Sequence, residues 1–261
     1  MGRMEDALKK ASEDRERVRT VEGAAPPSKA SSGAPSTAGG QLAGASVGAL
    51  FSDRLDERLV MVTEPLSARA EEFRRLKANL VALSPCPRIL TVAAPTDGDG
   101  AHIIAANLAI ALAESRNGKV LIVDGDFRRG EIARLLAVTA AHGLSELVMN
   151  SEGRAKSVPV ASFVPNLDVL VAGSIGLDAT RQIRPGILKE ILQRIAADYA
   201  ACVVVVPAID GFADARVLAA DTDGVVLVSR IGGSDRQALK RAYDALLGAR
   251  ARVLGTVAFG D

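Results

Sequence analysis

Six short apolar runs constrain the fold of this chain more than any other feature. RILTVAA (88–94), KVLIVD (119–124), LDVLVAG (167–173), ACVVVVP (201–207), GVVLVSR (224–230) and RVLGTVAF (252–259) have strand length and do not alternate apolar with polar residues. A strand that is apolar at every position is buried on both faces, as in a parallel sheet covered by helices on each side. Helical stretches separate the runs at about 102–114, 186–198, 214–220 and 234–247. The pattern predicts a doubly wound, mostly parallel α/β domain over 64–261 with helices on both faces. With 48% hydrophobic residues but only 3% aromatic and no Trp, the core is expected to be aliphatic, which suits Ala/Leu helices on Val/Ile strands better than an aromatic-cored sandwich.

Charge excludes some functions. Lys and Arg number 32 against 31 Asp and Glu, so neither nucleic acid nor an acidic lipid surface is expected as a partner. Cys86 and Cys202 are too few for a disulfide framework, which points to a reducing cytoplasm; Cys202 reads as a buried strand residue and Cys86 as a linker thiol between prolines. No run approaches the roughly 20 apolar residues of a membrane helix, and the charged N-terminus lacks the apolar core of a signal peptide. Residues 1–20 are dense in mixed charge with Met4, Leu8 and Ala11 as a thin apolar stripe, expected to be a solvated or docking segment. Residues 21–50 are dominated by Ala, Gly, Ser and Pro and are expected to be a disordered tether. After it, EPLSARAEEFRRLKANLVAL spaces Leu66, Ala70, Phe73, Leu76 and Leu80 at helical intervals, and the folded part is expected to begin near Glu64.

The carboxyl end of the first strand runs through APTDGDGAHII into a helix. In open α/β sheets ligands bind at such ends, and a Gly-containing turn opening a helix is the skeleton of a phosphate-binding loop. A working loop adds a Lys for the β/γ-phosphates and a Ser or Thr hydroxyl for magnesium. Here Gly100 is followed by Ala101 and His102. The second strand ends in Asp124 and Asp126, followed by Arg128 and Arg129.

Together, APTDGDGAHIIAANLA and LIVDGDFRRG resemble the phosphate loop and second acidic motif of the bacterial tyrosine kinases of capsule and exopolysaccharide assembly. These are deviant P-loop proteins related to the partition and cell-division-site ATPases. NLDVLVAG and ARVLGTVAFG match that family too, so the resemblance runs from Glu64 onward. EEFRRLKANL is similar to the family's EAFRxLRTNL helix, which implies a subunit contact through Glu71, Arg74 and Lys77. Lys77 stands where the family has Arg and loses bidentate pairing.

The departures from the family pattern fall on the chemistry. Ala101 lies at the lysine position, His102 at the magnesium hydroxyl, and Val205 where the third acidic motif holds its Asp, with Pro207 and Asp214 kept. Asp210 lies five residues further on and would reach the site only through a shifted loop. The family's C-terminal tyrosine cluster has no counterpart after the last strand, the only tyrosines being Tyr199 and Tyr243, so a self-phosphorylation tail is not expected. Losing one preorganised charge-stabilising group typically costs about 100–1000-fold in rate. Three such changes imply no catalytic residues, no metal, and at most vestigial nucleotide binding by Asp97, Gly98, Asp99, Gly100, Ala101 and His102. Asp97 and Asp99 are expected to repel a polyanion with no compensating cation. Asp124 and Asp126 read either as residual acidic groups or as partners of Arg128 and Arg129. His102 also reads simply as a helix N-terminal residue, and His142, in AVTAAHGLSE, as a surface turn residue.

The resulting expectation is a non-catalytic cytoplasmic subunit of a polysaccharide synthesis and export system, held at the inner membrane by a membrane chain-length co-polymerase, with a possible homo-oligomer through the Glu71–Lys77 helix. No cofactor is expected, or ATP and Mg²⁺ if the site retains binding. The rivals are an active or weakly active tyrosine kinase of the same pathway, and a positioning scaffold like the partition and division-site ATPases.

Overall fold

The computed structural model describes residues 56–115, 118–149, 159–233 and 235–260; the N-terminal segment and the tether expected over 21–50 lie outside them. Seven strands form one sheet: β1 (Ile89–Ala93), β2 (Lys119–Asp124), β3 (Val160–Ala161), β4 (Leu167–Leu170), β5 (Tyr199–Val205), β6 (Gly224–Arg230) and β7 (Val253–Phe259). Their spatial order is β3-β4-β2-β5-β1-β6-β7, and every pairing is parallel except the antiparallel β3–β4 edge. All six runs expected from the apolar pattern are strands. The two-residue β3 carries too little pattern to have been foreseen.

Alternate residues of the central strands feed two cores. Ile122, Val203 and Val205 face one; Leu121, Val123, Cys202 and Val204 face the other. The first core is covered by α1 (Val60–Thr63), α2 (Ala68–Val81), α3 (Ala101–Ala113) and α4 (Glu131–Leu135). The second is covered by α5 (Leu144–Met149), α7 (Ile187–Ile195), α8 (Ala213–Ala220) and α9 (Arg236–Gly248), with α6 (Leu177–Arg181) beside α5. The sheet is therefore doubly wound, as the unalternating strands require.

Two details depart from the sequence reading. Ser67 caps α2 by accepting a hydrogen bond from the Ala70 N–H, so the helix starts at Ala68. Leu66 precedes that cap and is 98% exposed, so it is not part of the apolar stripe. The core also reaches back beyond Glu64: Leu59, Val60 and Met61 are buried. Buried Asn107 of α3 pins them, its Oδ1 accepting from the Met61 N–H and its Nδ2 donating to the Arg58 carbonyl. One amide satisfying a chain entry is invisible to a search for apolar periodicity. Among the described residues no helix is long and apolar enough to cross a membrane.

Candidate functional site

The carboxyl ends of β1, β2 and β5 meet at one small cavity. It is lined by the loop 94–102, by Asp124, Asp126, Arg129 and Glu131, and by Val205–Ala208. Adjacent pairing in the sheet puts Asp124 directly opposite Val205, and Val205 opposite Val92. Topology thus brings together segments over a hundred residues apart.

Gly100 begins α3 in the left-handed region, φ 70°. A Cβ there would lie 2.7 Å from the Phe259 ring, so the turn is pressed against the last strand and needs glycine for both reasons. Gly125 is constrained differently: its N–H donates to the Val205 carbonyl at 2.8 Å, and a Cβ would come within 2.6 Å of that oxygen. The turns that follow β1 and β2 are therefore both fixed by glycine.

Their side chains are engaged with one another. Asp99 is buried and accepts from the Thr96 N–H and hydroxyl, at 3.1 and 2.6 Å. His102 Nδ1 lies 2.7 Å from a Glu131 carboxylate oxygen, and its ring is directed at that acid. Burial lowers the His102 pKa despite Glu131, with Arg58, Arg134 and Arg129 also lowering it, so the ring is neutral near pH 7. Arg129 pairs with Asp97 at 3.0 Å. The expectation that Asp97 lacks a compensating cation is thereby corrected: the cation comes from the neighbouring loop, a contact sequence separation hides.

Asp124 is 1% exposed and accepts from the Asp126 and Ile132 N–H groups, each at 3.0 Å. Burial pushes its pKa up to about 7 against the opposing effect of those two donors. Burial raises that of Asp126 as well, with the Arg128 N–H acting against it. Neither carboxylate is paired with a guanidinium: Arg128 makes a two-bond contact with Asp214 at 2.7 and 3.1 Å and lies over the Phe212 ring, while Arg129 takes Asp97. Arg128 and Asp214 thus tie the acidic loop to the start of α8. Asp210 is held by Arg241 and does not line the cavity.

This donor set does not suit ATP with magnesium. Mg²⁺ demands oxygen ligands in octahedral array. Here each oxygen of Asp124 already accepts one backbone N–H, an imidazole against Glu131 stands in place of the hydroxyl, and Val205 supplies no ligand. Among the described residues no group of three or more His, Cys, Asp or Glu side chains is placed to hold a metal ion. The cavity measures about 40 Å³, against roughly 300–1,000 Å³ for typical small-molecule sites.

The remaining candidate residues lie elsewhere. Glu71 and Arg74 are 3.5 Å apart on α2, and Arg74 also clasps Glu114 at the end of α3 with two bonds of 3.0 and 2.9 Å. Lys77 reaches Ser115 at 3.2 Å. Cys202 is buried, its thiol pushed up to about 12 by burial, and Cys86 is exposed. Glu131 and Phe259 were missed as site residues. The only signal for Glu131 was an acid opening a short helix after Gly130; Phe259 carried none.

No family model matches the chain. Individual relatives do. The chain is 26% identical over 209 residues to the tyrosine-protein kinase YwqD of Bacillus subtilis, covering 79% of this chain and 87% of YwqD. It is 28% identical over 196 residues to a putative tyrosine-protein kinase CapB of Staphylococcus aureus, covering 74% and 85%. The chain is a homologue of the bacterial tyrosine-protein kinases. A crystal structure of the chimerical protein CapA2B2 shares this kinase homologue's fold with a TM-score of 0.71 at 25% identity, over 78% of this chain and 90% of that one. The septum site-determining protein MinD of Pyrococcus horikoshii, complexed with Mg-ADP, shares the fold alone: TM-score 0.55, 22% identity, 65% of this chain and 68% of that one. The doubly wound P-loop architecture is therefore that of its relatives.

Proposed function

We propose that the chain is a non-catalytic regulatory subunit of a bacterial capsule or exopolysaccharide synthesis and export system, acting in the cytoplasm by binding a membrane chain-length co-polymerase. The pathway rests on the motifs of the kinase relatives, and the loss of catalysis rests on one observation. The mouth of the cavity is occupied by the protein's own contacts, the His102 ring against Glu131 and the Arg129–Asp97 ion pair, and Ala101 and Val205 leave it without a lysine or the third motif's acid. Five acidic side chains line that cavity (Asp97, Asp99, Asp124, Asp126 and Glu131) against one guanidinium, which is itself engaged by Asp97 and so offers a triphosphate no free cation there. In such a subunit the shape offered to a partner does not depend on nucleotide hydrolysis, and the helix bearing Glu71, Arg74 and Lys77 supplies a contact between subunits.

Purified chain with ATP and Mg²⁺ is expected to give no thermal shift and no phosphotyrosine; a robust signal in either overturns the reading. Ala101→Lys, His102→Ser and Val205→Asp together are expected to create nucleotide binding, because they restore the cation, the hydroxyl and the acid on a surviving backbone. A second reading, a weakly active tyrosine kinase, is favoured by one feature: Arg129 lines the cavity and would face a phosphate if released from Asp97. Phosphotyrosine formation abolished by Arg129→Ala would establish it. A role as a positioning scaffold has only the shared fold in its favour.

A further inference from the structure

β7 closes the sheet, and among the described residues no strand pairs with its outer side. The space beside it is hollow on both faces. On one face a hollow of about 640 Å³ lies between α2, the start of α3 and the end of β7, floored by the half-buried side chains of Phe73, Leu76, Ile103 and Phe259. On the other a hollow of about 470 Å³ lies against α9. The charges around the larger hollow are already matched: Arg58 is taken by Asp56, Arg69 by Glu64 and Arg75 by Glu72. Its rim therefore asks no charge of an occupant, and apolar surface and reach decide what fills it.

Only the larger hollow has the entry of the chain in its wall. Arg58 and Val60 line it, and the described residues begin two positions earlier, at Asp56. The course of the chain there is fixed. The Asp56 carbonyl accepts from the Leu59 N–H at 2.9 Å, its carboxylate accepts from the Arg58 N–H at 3.1 Å, and the Arg58 carbonyl accepts from Asn107 Nδ2 at 2.8 Å. The preceding residues thus leave from the rim of the hollow.

Those residues change character just before they reach it. After the Ala/Gly/Ser/Pro-rich stretch, VGALFSDRL (47–55) brings Val47, Leu50, Phe51 and Leu55, at intervals that gather all four on one face of a helix. A chain spans at most about 3.5 Å per residue, so Leu55 lies within about 10 Å of Arg58 and Phe51 within about 25 Å. A segment joined by so short a link is present at a local concentration of about 1 mM, which a separate molecule would have to match.

We propose that residues 47–55 of the same chain seat Leu50, Phe51 and Leu55 in the larger hollow, against Phe73, Leu76, Ile103 and Phe259. The contact removes apolar surface of both partners from water and costs little ordering, because one end of the segment is already held. It uses the side of α2 that carries Phe73 and Leu76; Glu71, Arg74 and Lys77 do not line the hollow. It does not depend on whether the phosphate site is active.

The test uses the full chain, which contains no Trp, so Phe51→Trp installs a single fluorescent reporter. Its emission is expected to be blue-shifted and several-fold less quenched by acrylamide than that of free tryptophan, and to be unchanged on dilution. Adding Leu76→Asp, which puts a charge on the floor of the hollow, is expected to shift the emission to that of a solvated Trp with helix content by circular dichroism unchanged. Phe73→Ser serves if that variant fails to fold. A solvated emission before any change to the hollow would overturn the proposal. So would a blue shift that survives the floor variant, which places the segment elsewhere, or one that fades on dilution together with the mass in light scattering, which places it in a second copy.

Discussion

The phosphate site and the β7 edge lie on either side of Phe259, whose ring touches the position of a Gly100 side chain and also floors the larger hollow. At the site every charged group is engaged by a neighbour and about 40 Å³ remains. At the edge about 640 and 470 Å³ remain on the two faces, with backbone groups unpaired among the described residues. The open volume of this fold thus lies beside the last strand and not at the carboxyl ends of the central strands.

The largest expected effect comes from opening the closed side. Arg128 and Asp214 have side chains 20% and 6% exposed, and Arg128 also packs on Phe212. Arg128→Ala leaves Asp214 as an uncompensated buried charge, and destabilisation of about 3 kcal/mol is expected in urea unfolding. A loss below about 1 kcal/mol would mean that the acidic loop is held by its backbone alone, and the closed side would be less closed than its geometry implies.

Asp124 gives a smaller effect with a pH signature. Its folded pKa is raised to about 7, so folding favours the protonated form. A raised pKa contributes stability that is fully present below the unfolded value of about 4 and is lost as pH rises through about 7. Asp124→Asn removes that titration and keeps one of the two acceptor oxygens, at a cost of about 1 kcal/mol for the lost bond. The variant's melting temperature relative to wild type is therefore expected to be lower at pH 5 and to improve steadily toward pH 8. A difference independent of pH would show that the two N–H donors, and not burial, govern this carboxyl.

How much of this was legible depended on the range of each interaction. The six strands were readable because burial on both faces leaves an unbroken apolar run in the sequence. That Ala101, His102, Asp124 and Val205 line one cavity follows from the convergence of neighbouring strand ends in an open α/β sheet. The contacts that close the cavity were not legible, since Arg129–Asp97 and His102–Glu131 join segments about thirty residues apart and no local pattern announces them. Asn107, which holds the entry of the chain against α3, looked like one polar residue in an Ala-rich helix. The hollows beside β7 depend on what is absent next to a strand, and periodicity along the strand carries no information about that.

The smallest expected effect on folding falls on α2. Arg74 and Glu114 are joined by two hydrogen bonds, but their side chains are 28% and 35% exposed, so water and salt screen the pair. Arg74→Ala is expected to cost only about 0.5 kcal/mol, fading as salt is raised. If α2 supplies a contact between subunits, the same substitution should change the mass measured by light scattering. An unchanged mass with Arg74→Ala would confine Glu71, Arg74 and Lys77 to bracing α2 against α3.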